Sequence, residues 1–142
     1  MTTVRMLLDR KGRAIFSVEP QASVLDAIRL MAEHHVGALL VMRASALEGI
    51  VSERDYARKV ILRDRSSADT PVQDIMSSPV LTVSLETSVE QCMQLMTDRH
   101  VRHLPVVDGG RVVGLVSIGD LVKAVIAEQR EQIEQLESYI HT

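Results

Sequence analysis

The fold is decided by a stretch of 41 residues that occurs twice, first as VEPQASVLDAIRLMAEHHVGALLVMRASALEGIVSERDYAR (18–58) and again as VSLETSVEQCMQLMTDRHVRHLPVVDGGRVVGLVSIGDLVK (83–123). The copies align without a gap at an offset of 65 residues, and 13 of the paired positions are identical. Composition alone would give about two to four identities. The chain is therefore an internal duplication, which indicates two similar structural units.

Each copy predicts the same order of helices and strands. Ser23 and Ser88 are predicted N-caps, because apolar residues spaced three and four apart follow each of them. A second helix is predicted to begin near Ser52 and near Ser117. The predicted strands are 14–18, 36–42, 47–51, 80–83, 101–107 and 112–116. The sequence thus predicts an α/β (α+β) fold of two β-α-β-β-α repeats, packed around a pseudo-twofold axis.

The duplication divides the chain into four predicted parts. These are repeat 1 (1–61), a polar linker (62–74), repeat 2 (75–127) and a C-terminal helical extension (128–142). In the extended tail Ile126, Ile133 and Ile140 recur every seven residues, which is a short heptad pattern. The pattern fits packing on the chain's own body as well as a contact between two chains, and the sequence leaves both open.

Composition excludes several classes of function. The net charge is −3 and aromatic residues are 2% of the chain, which argues against a nucleic-acid partner. No apolar run approaches the ~20 residues of a membrane span. The N-terminus shows no signal-peptide pattern, and one cysteine cannot form an intrachain disulfide. A cytoplasmic protein without a membrane partner is expected.

Both repeats end in the motif G-h-V-S-x-x-D, at a predicted strand-to-helix turn. Ser52 and Asp55 form it in repeat 1, and Ser117 and Asp120 form it in repeat 2. A serine followed by an acid three residues later is commonly only a helix cap. The same turn also suits a nucleoside phosphate, because helix N–H groups and a hydroxyl bind phosphate while a carboxylate accepts both ribose hydroxyls. The recurrence of the motif favours the second interpretation.

The strand predicted beside this turn differs between the repeats. Repeat 2 has Arg102 and His103 there, which can bind phosphate, whereas repeat 1 has Gly37 and Ala38. Two unlike sites are therefore predicted, with more positive charge at the second.

An enzyme is not predicted. The sequence has neither a Ser-His-Asp spacing nor a Gly-rich phosphate loop, and its histidines lack a metal-ligand spacing. Cys92 lies on the apolar side of a predicted helix, which favours a core residue over a nucleophile.

Four motifs resemble those of the CBS-domain family, named after cystathionine β-synthase. They are VQDIMS (72–77), VRHLPVVD (101–108), GLVSIGDL (114–121) and the repeat-1 turn GIVSERD (49–55). The resemblance covers residues 4–126 and implies a stand-alone tandem pair, often dimerised into a four-domain ring. Repeat 1 departs from the pattern at Gly37, Ala38 and Leu40, although Arg54, Arg58 and Lys59 could help to bind phosphate there.

The resemblance implies that clefts between the paired domains bind AMP, ADP, ATP, NAD or S-adenosylmethionine. It assigns ribose to Asp55 and Asp120, and phosphate to Ser52, Ser117, Arg102, His103 and Arg54. It assigns adenine to Ile15, Phe16, Val18, Val80 and Leu81. The expected function is that of a regulatory energy sensor in signal transduction, a homodimer with a regulated partner protein and no required cofactor or metal. A ligand-free interaction scaffold is the alternative, and an enzyme comes third.

Overall fold

The order of helices and strands repeats along the chain, as the duplicated sequence predicts. The computed structural model describes residues 1–141. Its helices are α1 (Val4–Lys11), α2 (Val24–His34), α3 (Glu53–Lys59), α4 (Val89–Arg99) and α5 (Ile118–Ile140). Its strands are β1 (Ser17–Val18), β2 (Ala38–Arg43), β3 (Ala46–Ser52), β4 (His103–Asp108) and β5 (Arg111–Ser117). The predicted mixed α/β fold is confirmed, whereas α1 was not predicted.

Serine caps begin four of the helices at the predicted places. The hydroxyls of Ser23, Ser52, Ser88 and Ser117 each accept a hydrogen bond, at 3.1 or 3.2 Å, from the backbone N–H three residues later. Each hydroxyl thereby satisfies one of the N–H groups that a helix start leaves without an intrahelical partner.

The helices α2 and α4 end at a histidine in the left-handed conformation, His35 and His100, each with φ of 55°. The N–H of Val36 still bonds to the Met31 carbonyl at 3.0 Å, and Val101 bonds to Met96 at 3.2 Å. These residues complete the helix end. For this reason β2 and β4 begin two residues later than the sequence predicts.

Contacts along the chain define two units. The first-repeat unit is Ile15–Leu81, and the second-repeat unit is Met1–Ala14 with Thr82–Thr142. The sequence prediction places residues 1–14 with repeat 1, whereas the structure groups them with repeat 2. The reason is α1, whose apolar residues Val4, Leu7 and Leu8 are buried in the second-repeat unit.

The first-repeat unit contains a three-stranded sheet in the order β1-β2-β3. The strand β1 is parallel to β2, which is antiparallel to β3. Its core consists of aliphatic residues from the sheet, the helix and the linker end: Val24, Ala27, Met31, Leu39, Val41, Val51, Val60, Val72 and Ile75. The predicted polar linker therefore contributes Val72 to the core, in a 3-10 helix at Val72–Asp74.

The second-repeat unit contains the β4–β5 hairpin, α4, α5 and α1. The strand predicted at 80–83 is reduced to one parallel bridge between Val83 and Val106. The hairpin has the same pairing as β2–β3, including a register shift after the fourth pair. The duplication is thus visible at the level of individual backbone pairs.

The N-terminal segment of the chain and the end of the linker make equivalent backbone hydrogen bonds to the first residue of a helix, one in each unit. The N–H of Val89 bonds to the Thr2 carbonyl at 2.9 Å, as that of Val24 bonds to Thr70 at 2.8 Å. Further along these segments, Leu8 lies over Gly114 in the second-repeat unit. A methyl group added to Gly114 would lie 2.7 Å from Leu8 Cδ1, so only glycine allows this approach.

The helix α5 runs without a break through the predicted boundary between repeat 2 and the C-terminal extension. Leu121 near its start is buried, and every residue from Gln129 to Ile140 is exposed. Among residues 1–141 no helix has the combination of length and apolarity that crossing a membrane requires.

Candidate functional site

The two Ser-x-x-Asp turns form the same closed hydrogen-bond pair. The Ser52 hydroxyl accepts from the Asp55 N–H at 3.2 Å, and Asp55 Oδ2 accepts from the Ser52 N–H at 2.9 Å. The matching distances at Ser117 and Asp120 are 3.2 and 2.8 Å. Both turns are complete capping boxes, so the helix-cap interpretation describes their geometry correctly.

Each aspartate also forms an ion pair with a lysine. In the first-repeat unit the Lys59 ammonium lies 3.3 Å from Asp55 Oδ1 and donates to the Ile75 carbonyl at 2.9 Å. In the second-repeat unit Lys11 donates to Asp120 Oδ2 at 2.6 Å and to the Leu115 carbonyl at 2.5 Å. The two lysines come from different places, since Lys59 is one helical turn after Asp55 and Lys11 is the last residue of α1.

The charged form of Asp120 is stabilised by its neighbours. Burial raises the pKa of this carboxyl, but the hydrogen bonds from Lys11 and Ser117 outweigh burial and bring the pKa below its ordinary value of 3.8. Lys11 and the Ser117 N–H both bond to Oδ2. A carboxylate has about four acceptor sites, so Asp120 keeps the capacity to accept hydrogen bonds from a ligand.

The strand beside each turn belongs to the same repeat as the turn. His103 pairs with Ser117, and the Ile118 N–H donates to the Arg102 carbonyl at 2.9 Å. The Arg102 side chain is exposed and that of His103 is half-buried. The structure therefore brings the predicted phosphate residues of repeat 2 next to Ser117.

The corresponding backbone contacts in the first-repeat unit carry other side chains. Ala38 pairs with Ser52, and the Glu53 N–H donates to the Gly37 carbonyl at 3.1 Å. Arg54 is exposed in the first turn of α3. The predicted difference between the two turns is present in the structure as a difference in side chains on one shared backbone arrangement.

The residues predicted to hold adenine all lie in the first-repeat unit. Phe16 stacks on His34 with 3.9 Å between the ring centroids, and its carbonyl accepts from the Leu40 N–H. Val18 belongs to β1, and Ile15, Val80 and Leu81 are half-buried outside the regular strands. Asp55 shares this unit, whereas Asp120 belongs to the other one.

A cavity of about 470 Å³ adjoins Asp120 within the second-repeat unit, between α1 and α5. Its lining includes Lys11 and Arg10 from α1 and Lys123 from α5, with Leu7 among its apolar residues. The lysine at Asp120 could not be found from local sequence, because 109 positions separate the two residues. The ion pair of Lys59 with Asp55 could be predicted from local sequence, since Lys59 lies four residues after Asp55 on a predicted helix.

The remaining candidates for chemistry lie away from these turns. Cys92 is buried on α4, and burial raises the pKa of its thiol to about 11, so it remains protonated at neutral pH. Within residues 1–141, histidine, cysteine and acidic side chains do not group into a metal-binding set.

Comparison with known proteins identifies the repeats. The family model of the CBS domain matches residues 12–62 and 72–127. The mitochondrial CBS domain-containing protein CBSX3 of Arabidopsis thaliana is 48% identical over 98% of this chain and 72% of its own length. The CBS domain-containing protein YhcV of Bacillus subtilis is 35% identical over 80% of each chain.

Solved structures agree with the sequence comparisons. A protein with CBS domains from Burkholderia ambifaria has a TM-score of 0.87 and 53% identity, over 90% of this chain and 96% of that one. A hexameric CBS-CP12 protein from bloom-forming cyanobacteria has a TM-score of 0.78 and 26% identity, over 86% and 70% of the two chains. These matches indicate no catalytic family, and CBS-domain pairs are generally regulatory modules. The duplicated sequence, the repeated turns and the matched family model together show that the chain belongs to the CBS-domain family and contains two CBS repeats.

Proposed function

We propose that this chain is a regulatory module that binds adenine nucleotides at its Ser-x-x-Asp turns and catalyses no reaction. The observation that carries the proposal is the recurrence of one arrangement, in which a partly buried aspartate lies beside a capped helix start and a lysine. The side chains of Asp55 and Asp120 are only 15% and 17% exposed. A helix cap alone does not need a carboxylate held this close to the interior.

The chemistry of a nucleoside phosphate fits the turn in the second-repeat unit. The ribose hydroxyls donate to the carboxylate of Asp120, which stays ionised near neutral pH because its pKa is lowered. The phosphate then accepts hydrogen bonds from the Ser117 hydroxyl, the Arg102 guanidinium and the His103 side chain. AMP, ADP, ATP, NAD and S-adenosylmethionine all contain the adenosine that this proposal requires. Our candidates for adenine share the first-repeat unit with Asp55 and are proposed for the ligand of that turn: Ile15, Phe16, Val18, Val80 and Leu81.

The turn in the first-repeat unit fits the same ligand with fewer phosphate contacts. Ser52 and Asp55 repeat the ribose arrangement, while Gly37 and Ala38 offer no charged side chain. Arg54 is the nearest predicted cation along the chain, and it is exposed at the start of α3. We therefore propose two sites of unequal preference.

Calorimetric titration with AMP tests the proposal. Asp120→Ala and Asp55→Ala should each weaken binding at one site by about 2 kcal/mol or more, because charge-assisted hydrogen bonds to the ribose are lost. Asp26→Ala is the matched control, since Asp26 also follows a capping serine by three residues but is exposed on α2. Unchanged affinity in both variants would reduce the two turns to helix caps.

The complete capping boxes favour one alternative, a ligand-free interaction scaffold. Thermal unfolding curves distinguish it, because a ligand that binds the folded protein raises the unfolding temperature. Curves that coincide with and without each of the five adenosine compounds would favour the scaffold. Turnover of any of these compounds, followed by chromatography, would instead indicate an enzyme. The compartment and the regulated partner protein stay predictions; the Arabidopsis relative is named as mitochondrial.

A further inference from the structure

The helix α5 carries an exposed apolar stripe along its whole length. Val122 and Ile126 are 43% and 44% exposed, and exposure rises through Ile133 (54%) and Leu136 (63%) to Ile140 (74%). Single exposed apolar residues are ordinary, but a row of large ones on one helix face, interrupted here only at Gln129, marks an interaction surface. This surface, the α5 stripe, is defined by these five residues.

The chain's own unit contacts the opposite side of α5 as far along the helix as Glu131. Arg10 of α1 lies 3.9 Å from Glu131, and the Thr2 hydroxyl donates to Glu128 at 3.4 Å. At 3.6 residues per turn, Glu131 lies on the other side of the helix from Ile133. Within residues 1–141, the stripe is therefore left exposed by the fold that buries Leu121, and packing on the chain's own body does not account for it.

The spacing of the stripe fits a second copy of the same helix. Ile126, Ile133 and Ile140 occupy one heptad position (a), and Val122 and Leu136 occupy the other apolar position (d), with Gln129 between them. Isoleucine at every a position, with Val122 and Leu136 at two of the three d positions, gives the apolar seam of a coiled coil, and the charges beside the seam decide the orientation. A helix with this pattern is complementary to itself.

Charges beside the stripe select the orientation of the two helices. The flanking e positions are Lys123, Arg130 and Glu137, basic at the start of the helix and acidic near its end. In an antiparallel pair the e positions face each other, so Lys123 of each copy meets Glu137 of the other. Arg130 meets its own copy, but two attractive pairs accompany that one repulsive pair. In a parallel pair the e positions face the uncharged g positions Ile118, Val125 and Gln132.

We infer that the α5 stripe joins two copies of this chain as an antiparallel helix pair. Val122 then packs against Ile140 of the other copy, Ile126 against Leu136, and Gln129 against Ile133. This register covers the whole stripe from Val122 to Ile140. The inference concerns assembly alone and is independent of the proposed nucleotide binding.

Sedimentation equilibrium of the full chain tests the interface. Leu136→Asp places two carboxylates in the apolar contact, and should raise the dimer dissociation constant by at least about 100-fold. Ser138→Asp introduces the same group on the outer face, and should leave the constant unchanged. Because both positions are exposed in the single chain, circular dichroism should show intact folding in both variants. A wild-type chain that is monomeric at every concentration, or a Leu136→Asp variant that dimerises normally, would overturn the inference.

A charge exchange tests the orientation. Glu137→Lys should raise the dissociation constant by at least about fivefold, because two attractive pairs become repulsive. Adding Lys123→Glu to that variant restores the opposite charges and should bring the constant back to the wild-type value. A parallel pair predicts no effect of either substitution, and that result would overturn the antiparallel arrangement.

Discussion

The two repeats share one backbone arrangement at the Ser-x-x-Asp turn but surround it with different charged side chains. In both, the serine of the turn pairs with the first residue of the neighbouring strand. The backbone N–H of the residue after the serine donates to the carbonyl of the residue just before that strand. That carbonyl belongs to Gly37 in one repeat and to Arg102 in the other. Duplication has therefore kept the capped turn while the cations around it changed. If the turns bind nucleotides as we propose, the turn is the shared scaffold, and the surrounding cations are expected to set which ligand each turn prefers.

The repeats also differ in how they obtain the segment that closes each unit. The first-repeat unit uses the segment that directly follows the linker, where Met76 lies over Gly49, and the second-repeat unit uses α1, where Leu8 lies over Gly114. Leu8 is 1% exposed, whereas Met76 is only partly buried. The second unit thus depends on residues from the far end of the chain, and the comparison predicts that it tolerates a lost contact less well.

The largest expected effect is a loss of stability on removing these contacts. Leu8→Ala should lower the free energy of unfolding by about 2–5 kcal/mol, because it leaves a cavity at a fully buried position. Met76→Ala should cost less, because water already reaches part of that side chain. Urea titration followed by circular dichroism measures both values. Met6→Ala is the control, since Met6 is also on α1 but is 42% exposed. A Leu8→Ala variant no less stable than Met6→Ala would show that the packing of α1 does not stabilise the second-repeat unit.

An effect of intermediate size is expected at the strand beside the second turn. Arg102→Ala should remove most of the preference for AMP over adenosine at one site only, because a partly desolvated arginine–phosphate pair contributes about 1.5–3 kcal/mol. Two-site titrations of AMP and adenosine measure the preference at each site. Arg111→Ala is the matched control, since Arg111 is exposed at the opposite end of the same hairpin. Two identical sites in the wild type, or an unchanged preference in Arg102→Ala, would remove the asymmetry.

Local sequence was sufficient for the elements whose cause is local. The serine caps and the paired strands follow from residues within a few positions of one another, and the structure confirms them. The strand starts shifted by two residues because His35 and His100 extend the helix ends in the left-handed conformation, which few residues other than glycine adopt. Nothing in the predicted apolar runs distinguishes a helix end from a strand start.

Long-range partners could not be predicted in this way. Lys11 follows no motif, and its pairing with Asp120 depends on where α1 packs. Aligning the repeats could not reveal it either, because Lys59, the lysine that pairs with Asp55, aligns with Ala124 at the 65-residue offset, and Lys11 lies outside the duplicated stretch. The turn was therefore predictable from sequence, whereas its charge environment required the fold.

The smallest expected effect concerns this long-range ion pair and its dependence on pH. Because the folded-state pKa of Asp120 is below 3.8, the ionised carboxylate stabilises the folded chain above about pH 4. That stabilisation is lost as the pH falls from about 4 through the folded-state pKa. Lys11→Met should therefore lower the free energy of unfolding by about 1 kcal/mol at neutral pH, and the difference from wild type should shrink in acid.

Urea titrations at a series of pH values from about 7 to about 2.5 measure this difference. Lys11 also donates to the Leu115 carbonyl, so a small difference independent of pH remains after Asp120 is protonated. Arg10→Met is the control, because it removes the neighbouring cation on α1, which reaches Glu131 only at 3.9 Å. A Lys11→Met deficit that stays constant across the whole range would assign the role of Lys11 to the carbonyl bond and to packing of its alkyl chain. The ion pair between Lys11 and Asp120 would then contribute nothing measurable to stability, and it would no longer count as a difference between the two turns.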